Sequence, residues 1–363
     1  MPPSAWAEDH EDLRAAVREL LAEISPPSEV RRLMGTAEGH DPVAWKRIAA
    51  MGLLGLRVPV CHGGSGLTMR ELAAVFEETG AALLCAPLLA TVALAVEVLL
   101  ASGDEDGAAA FLPAVVAGDC VATVALGDPT TRAEPATAAG GYLLHGQASQ
   151  VVDGASADLL LVVAESAGGT GVFAVRGEAP GLVRTPLVTM DQTRKQARLR
   201  FEATPARLLG QEGRGREALG AALDRASLAL AAEQLGGTRR CLEMALGHAR
   251  RRVQFGRPVG AFGAVKHALV GVLVDVEAAT SVVRAAAWTA AHRPDDLPLA
   301  AATARARCSD AYRRAAACNI QVHGAVGFTW DHVARLRCRW ASSALLIGGA
   351  AAAREEVARR LEL

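Results

Sequence analysis

The apolar pattern changes twice along the chain, and this order limits the possible folds more than any single motif does. Residues 8 to about 117 place apolar side chains at helical spacing, as in Glu11–Ile24, where leucines and a valine share one face. From about 119 to 209, short apolar runs alternate with Gly, Pro and Asp, which is typical of antiparallel strands. From Gly215 onward the pattern is helical again. The order predicts a helical region, a β region and a second helical region.

The hydrophobic core is predicted to consist mainly of small aliphatic side chains. Hydrophobic residues make up 51% of the sequence but aromatic residues only 4%, so alanine, leucine and valine must fill most of the interior. Alanine has the highest helix propensity and lets helix axes approach closely. With 363 residues, the chain has room for two or three domains with a large core.

Charge and cysteine content exclude several classes of protein. The net charge is −1, from 38 basic and 39 acidic residues, which predicts no attraction to nucleic acid or anionic membranes. The most apolar run, Ala81–Val96, contains Pro87 and is predicted to be a buried helix rather than a membrane span. The first residues are rich in acids, unlike a signal peptide. Seven scattered cysteines with no C-x-x-C pair indicate reduced thiols in the cytoplasm, with neither disulfides nor a metal site.

A first motif lies at the predicted end of a long helix. Arg252, Phe255 and Gly256 form an Arg-x-x-Phe-Gly pattern. A guanidinium can hold a pyrophosphate through paired hydrogen bonds. We expect Phe255 on the same side of the helix, where a flat ring can stack, and we expect Gly256 and Pro258 to end the helix. By itself, the pattern also fits an ordinary helix end.

A second motif follows about seventy residues later. Residues 319–329 read as a helix that runs into a turn with spaced glycines, with Gln321 and Gly324 at its centre. Glycines let backbone N–H groups approach a phosphate or an adenine edge without an obstructing side chain. The two motifs together predict a nucleotide site.

These motifs resemble those of the acyl-CoA dehydrogenase family of flavoproteins, and the resemblance covers nearly the whole chain. The matching segments also include Trp45–Pro59, His62–Leu67 and Thr189–Arg194. The resemblance implies an α+β multidomain fold with an N-terminal all-α domain, a central antiparallel β-barrel-like domain and a C-terminal four-helix bundle, here residues 1–117, 118–210 and 211–363. It implies FAD-dependent α,β-dehydrogenation of an acyl-CoA thioester, with electron-transfer flavoprotein as the acceptor.

The family's catalytic carboxylate is missing from both positions that supply it in different members. The first position, in a Tyr-Glu-Gly-Thr turn, falls on Gly348, and the second, on the first bundle helix, falls on Ala226. Asp224 should face away from the helix position, and Asp331 is interpreted as a cap or salt-bridge residue. Glu233 remains a candidate base, although a buried ion pair explains it as well. A positioned base contributes on the order of 100- to 10,000-fold in rate, so its absence would leave a single subunit inert.

The central region also departs from the family. Family members that hold the isoalloxazine ring carry a Thr-Glu-Pro-Gly-Ala-Gly-Ser-Asp-like loop and a Trp-Ile-Thr-Asn-like strand. The corresponding segments here, 125–131 and 146–155, lack the expected hydroxyl and indole groups. They predict a β domain that serves as a scaffold rather than as a support for the flavin ring.

The part of the site that a family member offers to its neighbour is largely kept. In the family the Arg-x-x-Phe-Gly and Gln-x-x-Gly segments reach the adenosine–pyrophosphate end of a neighbouring subunit's FAD. Two positions differ from the family: Gly263 stands where a glutamine often follows Phe262, and Ala325 replaces a second glycine. The expected cofactor-binding residues are Arg252, Phe255, Gly256, Phe262, Gln321 and Gly324.

A chain that lacks the catalytic base and the ring-binding groups but keeps the residues for a neighbour's FAD resembles one partner of a heteromeric α2β2 acyl-CoA dehydrogenase. Members of this kind act on steroid side-chain CoA thioesters. We therefore expect a second, base-carrying subunit as the partner and a FAD shared at the interface. Two alternatives stay open: a self-sufficient homomeric enzyme that uses Glu233, and a scaffold subunit without a catalytic role.

Overall fold

A computed structural model describes residues 10–136, 141–343 and 350–362. Helices, then strands, then helices follow one another along the chain, so the predicted fold class is confirmed. The described residues divide into two compact units. One gathers residues within 1–30, 69–84 and 227–363, and the other gathers 31–68 and 85–226. The domain boundaries near 117 and 210 remain predictions.

The N-terminal region consists of helices with local start signals. Its first predicted helix is confirmed at Glu11–Ile24. Asp41 caps a later helix by accepting a 2.8 Å hydrogen bond from the Val43 amide, and Pro42 occupies the first helical position. The helices are α1 Glu11–Ile24, α2 Pro27–Met34, α3 Pro42–Ala50, α4 Met69–Ala82, α5 Val96–Ala101, directly preceded by a π-helical stretch Leu89–Ala95, and α6 Glu105–Val116.

Five strands of the central region close into a barrel in the order β4-β2-β3-β7-β5, with β5 pairing back to β4. β1 joins at β4 and β6 joins at β7. Most pairings are antiparallel as predicted, but β1 and β2 both run parallel to β4, because the chain reverses once at the β2–β3 hairpin and again between β3 and β4. The strands are β1 Ala122–Leu126, β2 Arg132–Pro135, β3 Tyr142–Val152, β4 Leu159–Ser166, β5 Gly169–Arg176, β6 Leu182–Pro186 and β7 Gln196–Leu209.

The C-terminal helices pack closely, as the alanine-rich composition predicts. A Cβ atom on Gly236 would overlap the carbonyl of Glu77, and one on Gly237 would overlap the ring of Tyr312. The elements are α7 Gly215–Arg251, a short hairpin of β8 Val253–Gln254 and β9 Arg257–Pro258, α8 Gly263–His292, α9 Leu297–His323, α10 Ala325–Phe328, α11 Val333–Ser343 and α12 Ala350–Arg360.

The predicted buried helix over Ala81–Val96 is confirmed only in part: α4 ends at Ala82, residues 83–87 are not helical, and the helical stretch that begins at Leu89 is buried, with Leu89, Ala90 and Val92 at most 3% exposed. Over residues 10–136, 141–343 and 350–362, each helix is too short or too polar to cross a lipid bilayer. The same residues contain no group of three side chains that could hold a metal ion.

Candidate functional site

The first motif forms a hairpin rather than a continued helix. α7 ends at Arg251, and the amide of Arg252 donates a 2.8 Å hydrogen bond to the carbonyl of His248. Gln254 pairs with Arg257, leaving Phe255 and Gly256 as a two-residue turn at φ +52° and +75°. Two positive φ values are the signature of a type I′ hairpin. The expectation that Arg252 and Phe255 share a helix face was therefore wrong, because the backbone leaves the helix before either residue.

Phe255 is an unusual residue for this turn. A bulky side chain at positive φ is rare, since its Cβ crowds the backbone, and the ring is 90% exposed. Backbone strain of this kind costs on the order of 1–3 kcal/mol and is often found at ligand sites. Neither burial nor local conformation explains the phenylalanine, which is consistent with a contact to a ligand or another chain.

Phe262 braces the hairpin at the start of α8. The Arg257 guanidinium lies 4.2 Å from the centre of its ring, and the Phe255 ring lies 6.2 Å away, nearly perpendicular. Phe262 is half-buried, while Arg252 and Phe255 are exposed. Phe262, one of the expected cofactor-binding residues, therefore contributes to packing within this chain.

The second motif forms the end of α9. Gln321 is exposed on the last turn, and Gly324 follows the helix at φ +68°, ψ −148°, a conformation open essentially to glycine alone. A Cβ atom on Gly324 or Gly256 would have no neighbour within 4 Å. Both glycines therefore leave open space beside an exposed backbone.

The two motifs lie at the same end of the C-terminal helices. The ring of His248, one turn before Arg252, lies 4.3 Å from the ring of His323, two residues after Gln321. The ring of His332 lies 4.6 Å from that of His323 and is tilted by 54° to it. The residues that the sequence predicted as a nucleotide site are therefore brought together. The three histidines were missed, although His323 lies inside the second motif.

The positions expected for a catalytic base hold no carboxylate. Ala226 is fully buried, and Gly348 lies outside the described residues. Glu233 is 5% exposed, at a point where α7 and α4 pack so tightly that a Cβ on Gly80 would overlap the Glu233 carbonyl. The next residue, Gln234, accepts a 2.9 Å hydrogen bond from the buried Arg305. This environment fits the structural interpretation of Glu233 better than the catalytic one.

In the β region, the hydroxyl groups nearest the expected ring-binding loop are used internally. The carboxylate of Asp128 accepts hydrogen bonds from the hydroxyls of Thr130 at 2.7 Å and Thr131 at 3.0 Å. Thr131 also donates to the carbonyl of Gln147 at 2.8 Å. The Thr130 hydroxyl is the largest factor that lowers the pKa of Asp128 to about 2. The hydroxyl groups of this turn are thus hydrogen-bonded to the Asp128 carboxylate and to the backbone of β3.

Asp153, which follows β3, is a buried acid. It is 7% exposed at φ +53° and its amide donates to the carbonyl of Lys195 at 2.9 Å. Burial raises its pKa to about 7, while the nearby Arg194 and Lys195 act in the opposite direction. The preceding Val152 carbonyl accepts a 2.6 Å hydrogen bond from Thr123, so this segment is tied into the barrel.

Comparison with known proteins settles the family. The acyl-CoA dehydrogenase N-terminal and C-terminal domain models match residues 7–119 and 213–362. The acyl-CoA dehydrogenase IpdE2 of Mycobacterium tuberculosis is 35% identical over 98% of this chain and 96% of its own length. This chain belongs to the acyl-CoA dehydrogenase family. Members are FAD-dependent oxidoreductases that act on the CH–CH bond of acyl-CoA thioesters.

Two related acyl-CoA dehydrogenases are described as complexes of two different chains. The ChsE4–ChsE5 complex from Mycobacterium tuberculosis matches at 30% identity and a TM-score of 0.89, covering 98% of both chains. A Tcur3481–Tcur3483 steroid dehydrogenase variant matches at 28% identity and a TM-score of 0.89, again over 98% of both chains. FadE27 of Mycobacterium tuberculosis is 31% identical over 97% of this chain and 96% of its own length.

The side chains in the two motifs fit one end of FAD. Arg252 offers a guanidinium for a diphosphate, Phe255 a ring for stacking, and Gln321 an amide, and all three are exposed. Gly256 and Gly324 leave room for close approach. This chemistry suits an adenosine diphosphate group. The Asp128 turn offers no comparable set for the isoalloxazine ring.

Proposed function

We propose that this chain is the partner subunit of a heteromeric, FAD-dependent acyl-CoA dehydrogenase. It lacks the catalytic base and contributes Arg252, Phe255, Gly256, Gln321 and Gly324 to the adenosine–pyrophosphate end of a FAD shared with a second, base-carrying subunit. The observation that carries the proposal is the contrast between an exposed, strained hairpin suited to a diphosphate and two base positions that hold alanine and glycine.

The roles of the residues follow from this arrangement. FAD, when bound, accepts the β hydride of the thioester. Arg252 would hold and orient the diphosphate, Phe255 would stack on the nucleotide, and the open glycines would let backbone N–H groups approach. Removal of the α proton would fall to a carboxylate of the partner, because Glu233 is enclosed by α4 and α7.

An exposed apolar face beside the hairpin supports the proposal that a second chain binds there. On α8, Val270, Leu273 and Val274 are between 47% and 59% exposed. They adjoin a groove of about 480 Å³ lined by Leu246 and Leu269 and bounded by Pro258 of the hairpin. Contiguous apolar surface of this kind marks protein interfaces. A chain seated here would lie next to Arg252, where its flavin would be needed.

We also propose a steroid side-chain CoA thioester as the substrate and electron-transfer flavoprotein as the acceptor. The substrate assignment rests on similarity to a dehydrogenase described as a steroid enzyme. We place the complex in the cytoplasm, in keeping with seven unpaired cysteines.

Purification of the tagged chain with its native partner tests the proposal. The chain alone should hold little flavin and show no turnover of acyl-CoA, whereas the complex should contain one flavin site for each pair of different chains and be active. A scaffold without a catalytic role predicts a complex whose flavin and activity do not depend on this chain. Full flavin loading and turnover by the chain alone, abolished in Glu233→Gln, would instead establish a self-sufficient enzyme.

A further inference from the structure

Three histidine rings, tilted against one another by 38° and 54°, form a group beside Arg252 that we call the histidine stack. His248 lies in the last turn of α7, His323 is the last residue of α9, and His332 immediately precedes α11. The ring centres of His248 and His323 are 4.3 Å apart, and those of His323 and His332 are 4.6 Å apart. All three rings are half-buried. Residues from three separate elements thus meet at one place.

Hydrogen bonds determine which ring nitrogen of His323 can take up a proton. Its Nδ1 lies 2.8 Å from the carbonyl oxygen of Asn319, which can only accept, so Nδ1 carries the hydrogen. The Nε2 atom therefore keeps a lone pair in the neutral ring. In His332, Nδ1 accepts from the amide of Ala334 at 3.2 Å, so the hydrogen of its neutral ring is on Nε2.

Burial and the charges around His248 oppose its protonation. Burial is the main factor that lowers the pKa of His248, followed by His323, Arg252, His332 and Arg251. Arg251 and Arg252 approach from α7, and the exposed Asp331 adjoins His332 along the chain. The C-terminal carbonyls of α7 favour a cation near His248, yet the pKa of His248 is lowered, by burial first and then by the neighbouring positive charges.

We propose that His248, His323 and His332 form a proton-linked anion site that extends the diphosphate-binding site proposed at Arg252. A diphosphate group beside Arg252 supplies the negative charge that the stack lacks, so binding draws a proton from solvent onto the imidazoles. By linkage, the affinity for the diphosphate increases as the pH falls. The inference rests on the proposed function for the identity of the ligand, the diphosphate of a shared FAD, and it assigns to this site a dependence on pH.

Calorimetric titration of the chain with inorganic pyrophosphate, and separately with ADP, tests this inference. Between about pH 7.5 and pH 6, affinity should increase on the order of 5-fold, because the window spans the ordinary pKa of histidine. Titrations in two buffers with different heats of ionisation should show net proton uptake at neutral pH. Adenosine, which has no phosphate, should show neither effect. Failure to bind pyrophosphate at either pH would overturn the inference.

Two variants identify the groups that take up the proton. His323→Asn keeps an N–H donor for the Asn319 carbonyl but cannot be protonated, and His248→Gln is its counterpart on α7. Each should reduce the pH dependence to less than about 2-fold and lower the proton uptake. His292→Asn is a matched control, since His292 also ends a helix and its Nδ1 lies 2.9 Å from the carbonyl of Trp288. Proton uptake that persists in both variants would show that the stack is not responsible.

The outcomes separate this inference from the proposed function. If Arg252→Ala abolishes pyrophosphate binding while the histidine variants behave like the original chain, the shared-flavin role stands and the proton-linked stack is wrong. If the stack titrates on binding but the chain forms no complex with a base-carrying dehydrogenase, the anion site stands and the partner role fails.

Discussion

The hairpin end of the C-terminal helices and the Asp128 turn of the β region use their polar groups in opposite ways. In the hairpin, Arg252 is exposed, Phe255 is held at positive φ, and Gly256 faces open space. In the turn, the hydroxyls of Thr130 and Thr131 bond to the Asp128 carboxylate. The contrast shows how a surface that we propose to bind an external ligand differs from one that serves the fold. In the first, an exposed guanidinium stands beside a phenylalanine that is 90% exposed at a positive φ. In the second, each polar group contributes to local structure.

The largest effect is expected at Arg252. In the complex with the partner, Arg252→Ala should weaken flavin binding on the order of 100-fold, because a charge-assisted contact to a diphosphate is lost. Flavin release, followed by fluorescence, measures this. Arg240→Ala is the matched control, since Arg240 is also exposed on α7 but bonds to Glu243 at 2.9 Å. Equal flavin retention in both variants would remove Arg252 from the site.

Asp153 provides a test on the β side. Its folded-state pKa of about 7 exceeds that of an unfolded aspartate, near 4, so the folded chain holds a proton that the unfolded chain releases. The free energy of unfolding should therefore fall as the pH rises from about 4 to 7. Asp153→Asn should remove this loss and stabilise the chain at pH 8 by on the order of 4 kcal/mol, since about three pKa units correspond to about 1.4 kcal/mol each.

Urea unfolding at several pH values checks the expectation for Asp153. Asp128→Asn is the contrasting variant: the pKa of Asp128 is lowered to about 2, so its ionised form supports the turn, and its replacement should lower the thermal midpoint. If Asp153→Asn were as destabilising as Asp128→Asn, the burial argument for Asp153 would be incorrect.

Gly324→Ala tests whether the end of α9 needs its glycine. At φ +68°, ψ −148°, alanine should cost about 1–2 kcal/mol through the backbone alone, because no atom would contact its Cβ within 4 Å. Gly220→Ala is the control. That glycine lies within α7 and also has open space around it, so alanine there should stabilise by up to about 1 kcal/mol. Denaturant midpoints that move in the same direction would contradict the conformational argument.

The smallest effect is expected at Phe255. Asparagine tolerates positive φ better than phenylalanine, so Phe255→Asn should stabilise the isolated chain by about 0.5–1 kcal/mol. In the complex, the same variant should retain flavin less well, because the stacking ring is lost. A gain in stability with unchanged flavin retention would mean that Phe255 serves the protein interface rather than the nucleotide.

Some features were predictable because they depend on local periodicity or on residue identity. Apolar spacing predicted the first helix at its observed bounds of Glu11–Ile24. Residue type alone showed that Ala226 and Gly348 cannot act as bases, because neither has a titratable side chain. The parallel pairing of β1 with β4 was missed, because strand direction depends on the path of the intervening hairpin rather than on alternation within either strand.

By itself, the sequence determined the order of helices and strands, the family, and the residue types available at the proposed flavin site, since these follow from short-range patterns and side-chain chemistry. Only the tertiary structure decided that the chain leaves the helix before Arg252, that Phe255 takes a positive φ, and that His248, His323 and His332 share one stack. The reason is physical. His248 and His323 are 75 positions apart and meet only when α7 and α9 pack together, and no local pattern encodes that contact.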